Sequence, residues 1–443
     1  MRINMKKLVR SIFAFQIILV LVLGSFAQPQ QTDQPVTFIR AGRVFDSENG
    51  TFLPARDIIV KGNLIESIGE NLPVPKGAQV IDLRRYTVLP GLIDAHTHLL
   101  YLEDPQAGLT MEGIKALTIE GTPLRALRGA ARGKTFLLSG ITTVRDLGNS
   151  GRFGDVALQT AIREGTTDGP RMYVSGPGLS TEGGQFPGLQ FAYKNIAEEE
   201  YRIVRGVEDA RNAVRENITF GANVIKIYSN NTPNPTMLSI EEMKAIVEEA
   251  HLYRVKVAAH ATSDVAVRRA VEAGVDSIEH GYQVSDETLK LMKEKGVALV
   301  PTDGDLMSLK YFLKQSPGNQ NLTDEQIAER FLKPQRDRIQ RAIKAGVTIV
   351  AGSDMYIDMK RPQGEAAKRV LFAYLESGMT PVQILQSATI NAARLFNNQR
   401  LGVIKNGAYA DIIAIEGNPA DDFNAIEKVK FVMKNGKVYL EAK

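Results

Sequence analysis

The chain contains no cysteine. Disulfides, thiolate metal ligands and a lipid-modified amino-terminal cysteine are therefore excluded, and an exported form must rely on its core and on any bound metal. Histidine is scarce, with five among 443 residues, so each can be placed and weighed. No repeat of solenoid length occurs, and the 38 glycines and 19 prolines are scattered rather than gathered into a low-complexity tract. The apolar run 12–23, broken by Gln16, falls short of the roughly 20 residues that a membrane-spanning helix needs. Arg2, Lys6, Lys7 and Arg10 precede it without an acidic residue, and Gly24-Ser25-Phe26-Ala27 follows. That order is a secretory signal peptide over 1–27, with cleavage expected after Ala27, so export to a periplasm or beyond the cell is expected. The formal net charge of +4 equals the four charges of that segment. The mature chain is then neutral, which gives no electrostatic case for a nucleic-acid partner, and no membrane partner is expected after cleavage. Asn-x-Thr triplets at Asn49, Asn217 and Asn321 matter only in a host that glycosylates.

What is present suits one large barrel with a smaller appendage. Short β-runs at 36–39, 44–45, 57–60, 64–68 and 79–82, punctuated by Gly42, Gly50, Gly62 and Gly69, predict a small antiparallel sheet. A matching set returns at 411–415, 429–434 and 437–440, with Asn435-Gly436 as a hairpin turn. The two sets are expected to pair as one small β-sandwich, with 28–88 and 401–443 as its two parts. Over 89–400 strands alternate with helices. The predicted strands are 92–96, 142–146, 172–175, 224–228, 255–260, 277–280, 298–301 and 348–353. Between them lie amphipathic helices such as 239–253, opened by the capping box of Ser239 and Glu242. The expected fold is α/β, a (β/α)8 TIM-like barrel.

In such a barrel the active groups cluster at the carboxy-terminal ends of the strands. Reading those ends yields His96 and His98 on strand one, Lys226 within strand four, His260 on strand five, His280 on strand six and Asp354 after strand eight. Four of the five histidines fall there, and the fifth, His251, lies in a charged helix as a surface residue. Residues i and i+2 of a strand share a face, so His96 and His98 point the same way. Imidazoles with a carboxylate suit zinc, and also nickel, manganese or iron. Lys226 sits in Val224-Ile225-Lys226-Ile227-Tyr228, where an ammonium is costly to bury. Desolvation and nearby metal charge lower its pKa, and the neutral amine can take up carbon dioxide as a carbamate. A lysine ion-paired inside the barrel is the alternative.

The stretches Gly91-Leu92-Ile93-Asp94-Ala95-His96-Thr97-His98, Ile225-Lys226-Ile227, Gly274-Val275-Asp276-Ser277-Ile278-Glu279-His280-Gly281 and Gly352-Ser353-Asp354 resemble the amidohydrolase superfamily. More narrowly they resemble its prolidase-like branch of Xaa-Pro and carboxypeptidase-like dipeptidases. The similarity covers nearly the whole mature chain. It implies two zinc ions bridged by a carboxylated Lys226 and a hydroxide, with His96, His98 and Asp354 on the first ion and His260 and His280 on the second. It further implies Asp354 as the group that takes a proton from the hydroxide and passes it to the leaving nitrogen. Tyr228 either donates a hydrogen bond to the substrate or simply packs. Many relatives carry Gly-Gly-His where this chain has Gly183-Gly184-Gln185, so Gln185 is a departure and a candidate substrate contact. Arg145 and Arg171 are candidates for a substrate carboxylate, with a structural ion pair as the alternative for each.

The leading expectation is an exported hydrolase cleaving the amide of a dipeptide or an N-acyl amino acid. The alternatives are a cyclic-amide hydrolase or deaminase of the imidazolonepropionase kind, against which Lys226 counts, and a lactonase or phosphotriesterase using the same donors. A non-catalytic binding barrel would lack at least one donor, and none is missing. The partner is a small-molecule substrate, and self-association is left open.

Overall fold

Alternating burial shapes the front of the chain into strands β1 (Val36–Asp46), β2 (Thr51–Leu53), β3 (Arg56–Lys61), β4 (Leu64–Gly69) and β5 (Gln79–Pro90). The computed structural model describes residues 34–442 apart from 108, 187 and 316–317, and the signal-peptide reading of 1–27 lies outside the described residues. β1 pairs antiparallel with β2 and β3, but parallel with β5, a departure from the all-antiparallel expectation. The β1–β5 register slips between Ala41 and Arg43. Gly42 permits it, because a Cβ there would lie 2.0 Å from the Arg84 carbonyl oxygen.

The barrel strands follow: β6 (Leu92–Thr97), β7 (Ile141–Asp146), β8 (Arg171–Val174), β9 (Gly178–Ser180), β10 (Tyr201–Ile203), β11 (Val224–Tyr228), β12 (Lys256–Ala261), β13 (Ser277–His280) and β14 (Ala298–Val300). They form two parallel sheets, β6-β7-β8 and β10-β9-β11-β12-β13-β14. β6, β7 and β11 are buried at every position, as strands covered on both faces must be. The third predicted strand, 172–175, is β8, and β9, which was not predicted, follows it after Ser175-Gly176-Pro177. The Asn223 amide donates to the Val174 carbonyl at 2.9 Å and so carries the ring from β8 to β11. The eighth predicted strand is reduced to one bridge between Leu299 and Ile349. Its backbone still joins β14 to β6, through Val350 to Leu299 on one side and Ala95 to Ala351 on the other. Just past this run Asp354 turns into the left-handed region, at φ 48°.

Strands β15 (Ile412–Ile415), β16 (Val429–Lys434) and β17 (Lys437–Leu440) complete the end sheet, in the order β17-β16-β15-β5-β1-β3-β4. Front and back of the chain meet where β15 pairs antiparallel with β5. One face encloses Ile39, Ile58, Ile65, Val88, Ile412 and Phe431. From the other, Phe45, Leu89, Ile413, Ile415 and Val432 join the core shared by barrel and helices. Of the Asn-x-Thr triplets, Asn217 is fully buried, its amide donating to the Ser175 and Pro177 carbonyls at 3.0 and 2.8 Å.

Candidate metal centre

The strand ends deliver His96, His98, Lys226, His260, His280 and Asp354 to one cavity of about 230 Å³. The His96 and His98 rings lie 5.2 Å apart, and His280 is 5.3 Å from His96 and 4.6 Å from His260. The register of β11 on β12 sets Tyr228 beside His260, and that of β12 on β13 sets Ala261 beside His280. Asp354 Oδ1 stands 3.6 Å from His96 Nε2 and 3.0 Å from His98 Nε2. Donor atoms of these three residues fall within 4.8 Å of one another. His280 and Asp354 both hold positive φ, 74° and 48°, a conformation costing about 1–3 kcal/mol that persists only where the surroundings impose it. His251 stays outside, paired with Asp276 at 2.9 Å.

Ring hydrogens can be assigned from the partners. His98 Nδ1 faces the Gly148 carbonyl at 2.9 Å, and His96 Nδ1 faces the Glu279 carboxylate at 2.8 Å. Both partners accept, so both Nδ1 atoms carry the hydrogen. His280 Nδ1 meets Thr302 Oγ1 at 2.7 Å, and that hydroxyl already donates to the Pro301 carbonyl. Each ring is left with a bare Nε2. Burial, then the Lys226 charge, lowers the pKa of His96 well below the usual value and that of His260 to about 3. Burial, then His260, lowers that of His280. These imidazoles are neutral and able to ligate. Asp354 Oδ1 is buried without a hydrogen-bond partner. Two bare nitrogens against an unsatisfied carboxylate oxygen call for a positive charge between them. The same demand shows at His98, where burial opposes a proton but the Asp354 contact outweighs it and raises the pKa. The donor set therefore fits a divalent cation. Burial also brings the Lys226 amine down to about 8, which raises the share of the neutral form that a carbamate requires.

Residues 87–439 match the amidohydrolase family. The chain belongs to the amidohydrolase family. This amidohydrolase is similar to the ochratoxinase of Aspergillus niger, at 31% identity over 91% of this chain and 86% of that protein. Among solved structures it resembles a Xaa-Pro dipeptidase with methionine bound in its active site, with a TM-score of 0.78, 30% identity, and coverage of 91% of this chain and 100% of that one. A prolidase complexed with N-methylphosphonate-L-proline gives a TM-score of 0.78 at 30% identity, over 92% of this chain and 100% of that one. The amidohydrolase is thus a TIM-type barrel with a β-sandwich, and a hydrolase acting on C–N bonds of small molecules. Metal dependence is typical of its family, and the His96–His98–Asp354 cluster is where its donors converge.

Two expected substrate contacts are corrected. Arg145 is buried inside the barrel, with Nη2 2.7 Å from Glu279, Nη1 3.0 Å from Ser277 Oγ and Nε 2.6 Å from the Ala95 carbonyl. It is the counter-ion of a buried acid on β13. Arg171 begins β8, so it lies at the end of that strand remote from the cavity. It pairs with Asp411 at 3.1 Å and Asn435 at 2.5 Å and lies over the Tyr409 ring. Neither guanidinium lines the cavity. Gln185 does, with Nε2 3.3 Å from His260 Nε2. Tyr228 also lines it, and burial raises its phenol well above the usual value, so the hydroxyl keeps its proton for donation. Its ring packs edge-on to Tyr201, so it packs and faces the cavity at once. The sequence reading passed over Glu279, which orients His96, and the cavity tyrosines Tyr101, Tyr282 and Tyr356. Glu279 carried a signal of the Lys226 kind, a charged residue inside an apolar strand.

Proposed function

We propose that this amidohydrolase is an exported enzyme that hydrolyses the amide or peptide bond of a small substrate, a dipeptide or an N-acyl amino acid. Its centre would hold two divalent cations, zinc foremost. His96, His98 and Asp354 would hold the first, His260 and His280 the second, and Lys226, as a carbamate, both. One observation carries the reading: bare imidazole nitrogens, an unsatisfied carboxylate oxygen and a buried lysine whose pKa burial lowers share a single cavity. Bound there, the cations supply hydroxide near neutral pH and polarise the scissile carbonyl. Asp354 Oδ1 faces the cavity, placed to hold the proton released on attack and hand it to the leaving nitrogen. The Tyr228 hydroxyl donates toward the developing oxyanion. Glu279 fixes the His96 ring through its Nδ1–H, and Gly148 does the same for His98, so neither imidazole has to reorganise.

The test loads the mature chain with zinc in bicarbonate buffer and follows amino-acid release from a library of dipeptides and N-acyl amino acids. Release concentrated on one type of substrate supports the reading. No release with two metals bound overturns it in favour of cyclic amides, lactones or phosphoesters at the same donors.

A further inference from the structure

We propose that a second cavity, next to the metal centre, is a binding site for a small oxyanion, a carboxylate or a phosphate, held by Arg132 with Arg128 beside it. This cavity of about 270 Å³ shares Tyr101 alone with the metal cavity and contains none of the metal donors. The inference goes beyond the amide-hydrolase reading and does not depend on it. The helix Gly121–Leu138 sets Arg125, Arg128 and Arg132 on one face, and all three line the cavity. Two of them are already matched. Arg125 donates to the Asn149 and Leu100 carbonyls and is paired with Glu200 at 2.9 Å. Arg128 is paired with Glu120 at 2.7 Å.

Arg132 is not matched. Its Nε donates to the Leu99 carbonyl at 2.6 Å, but among the described residues Nη1 and Nη2 meet no acceptor and no carboxylate stands within ion-pair distance. The guanidinium is partly buried, and burial, then the Arg128 charge, brings it down to about 10. It stays charged at neutral pH, with a fork of N–H donors and no counter-charge. The acids on the wall do not supply one. Glu112 and Glu120 are held by Lys115 at 3.3 and 3.6 Å, and Asp358 by Lys360 at 2.6 Å. Asp104 is exposed and accepts from the Gln106 amide at 3.0 Å. A guanidinium fork matches two oxygens of a carboxylate or a phosphate, and a second guanidinium one turn away adds charge. Leu100 and Ala116, both buried, form an apolar flank that strengthens such a pair by keeping water back. The carbonyl that Arg132 holds belongs to the residue after His98, so the site is tied to the strand end that presents a metal donor.

The test titrates the zinc-loaded enzyme with two probes by calorimetry, selenate for the tetrahedral anions and acetate for the carboxylates, with chloride holding the ionic strength constant. Saturable binding of at least one probe is expected, and the probe bound more tightly names the class of ligand. Arg132→Gln is expected to weaken that binding about tenfold or more, the loss of a charged hydrogen-bonding partner, with zinc content unchanged. Arg132→Lys, which keeps the charge and can still reach the Leu99 carbonyl, should also weaken it through loss of the fork, and it carries the test if the glutamine variant does not fold. In crystals soaked with selenate, the selenium anomalous peak is expected within hydrogen-bond reach of Arg132. Lack of saturable binding by either probe overturns the inference, as does binding that both variants leave unchanged. A selenium peak at the zinc ions or on the open surface alone, an adventitious ion only, overturns it as well.

Discussion

Lys226 and Glu279 both place a charge inside the barrel, and they resolve it differently. Lys226 has no carboxylate within ion-pair distance among the described residues, and burial brings its amine down to about 8. Glu279 is satisfied three times over, by Arg145, by Ser277 at 2.6 Å and by His96. Lys226→Ala should drop the metal content from two ions to at most one by plasma emission. With it should go about a thousandfold in kcat, the several kcal/mol that a polarising cation contributes. Retention of two ions would sink its bridging role. Glu279→Ala should release metal to a chelator at concentrations about 10- to 100-fold lower. It should also lose about 3–5 kcal/mol of stability in a urea titration, because Arg145 is left buried without its partner. That His96, His98, Lys226, His260, His280 and Asp354 meet in one cavity was legible in the sequence, because five histidines are few enough to follow. Glu279 carried the signal of a charge in an apolar strand, but its partner shows only in the fold, where β7 and β13 turn Arg145 and Glu279 toward each other.

At the level of elements, the ends of strands are where local rules bend. Gly352 is packed so closely that a Cβ would lie 2.4 Å from Val300 Cγ1 and 2.9 Å from the His96 Cβ. Gly352→Ala should therefore displace His96 and lower metal affinity at least tenfold, measured by competition with a chromophoric chelator. Affinity equal to that of the unmodified chain would show that the segment yields. Asp155, in the first turn of the helix Gly154–Glu164, accepts from the Gly176 amide at 2.9 Å. Burial, then Asp146, raises its carboxyl to about 7. A raised carboxyl favours the neutral form in the folded state, so stability falls as pH climbs from the unfolded value near 4 through about 7. Asp155→Asn should remove about 2–3 kcal/mol of that fall between pH 5 and 8 in urea midpoints. Parallel profiles for the two chains would contradict it. Seven of the nine barrel strands were legible from their apolar runs, and the three-residue β9 and β10 were not. The run 348–353, expected as a strand, keeps one bridge, because it is apolar whether or not its backbone stays in the ladder. Arg171 was misjudged for a related reason: nearness to a strand does not say which end of it a side chain occupies.

For the whole molecule, the end sheet and the barrel share one core, since Phe45, Leu89, Ile413 and Val432 pack with barrel and helix residues. Phe431→Ala, in the layer beneath, should cost about 3–5 kcal/mol. Unfolding should remain a single transition when followed by far-ultraviolet circular dichroism and by tyrosine emission. Two separated transitions would show sheet and barrel to be independent. Pairing of the two chain ends was readable as complementary strand sets. The parallel β1–β5 contact was not, because direction within a sheet depends on which neighbour a strand meets. The insertion of β15 against β5 also has a consequence for synthesis. Every barrel strand leaves the ribosome before β15 does, yet β5 keeps an open edge until then. The edge of β5 is therefore covered only once the strands from the far part of the chain are in place.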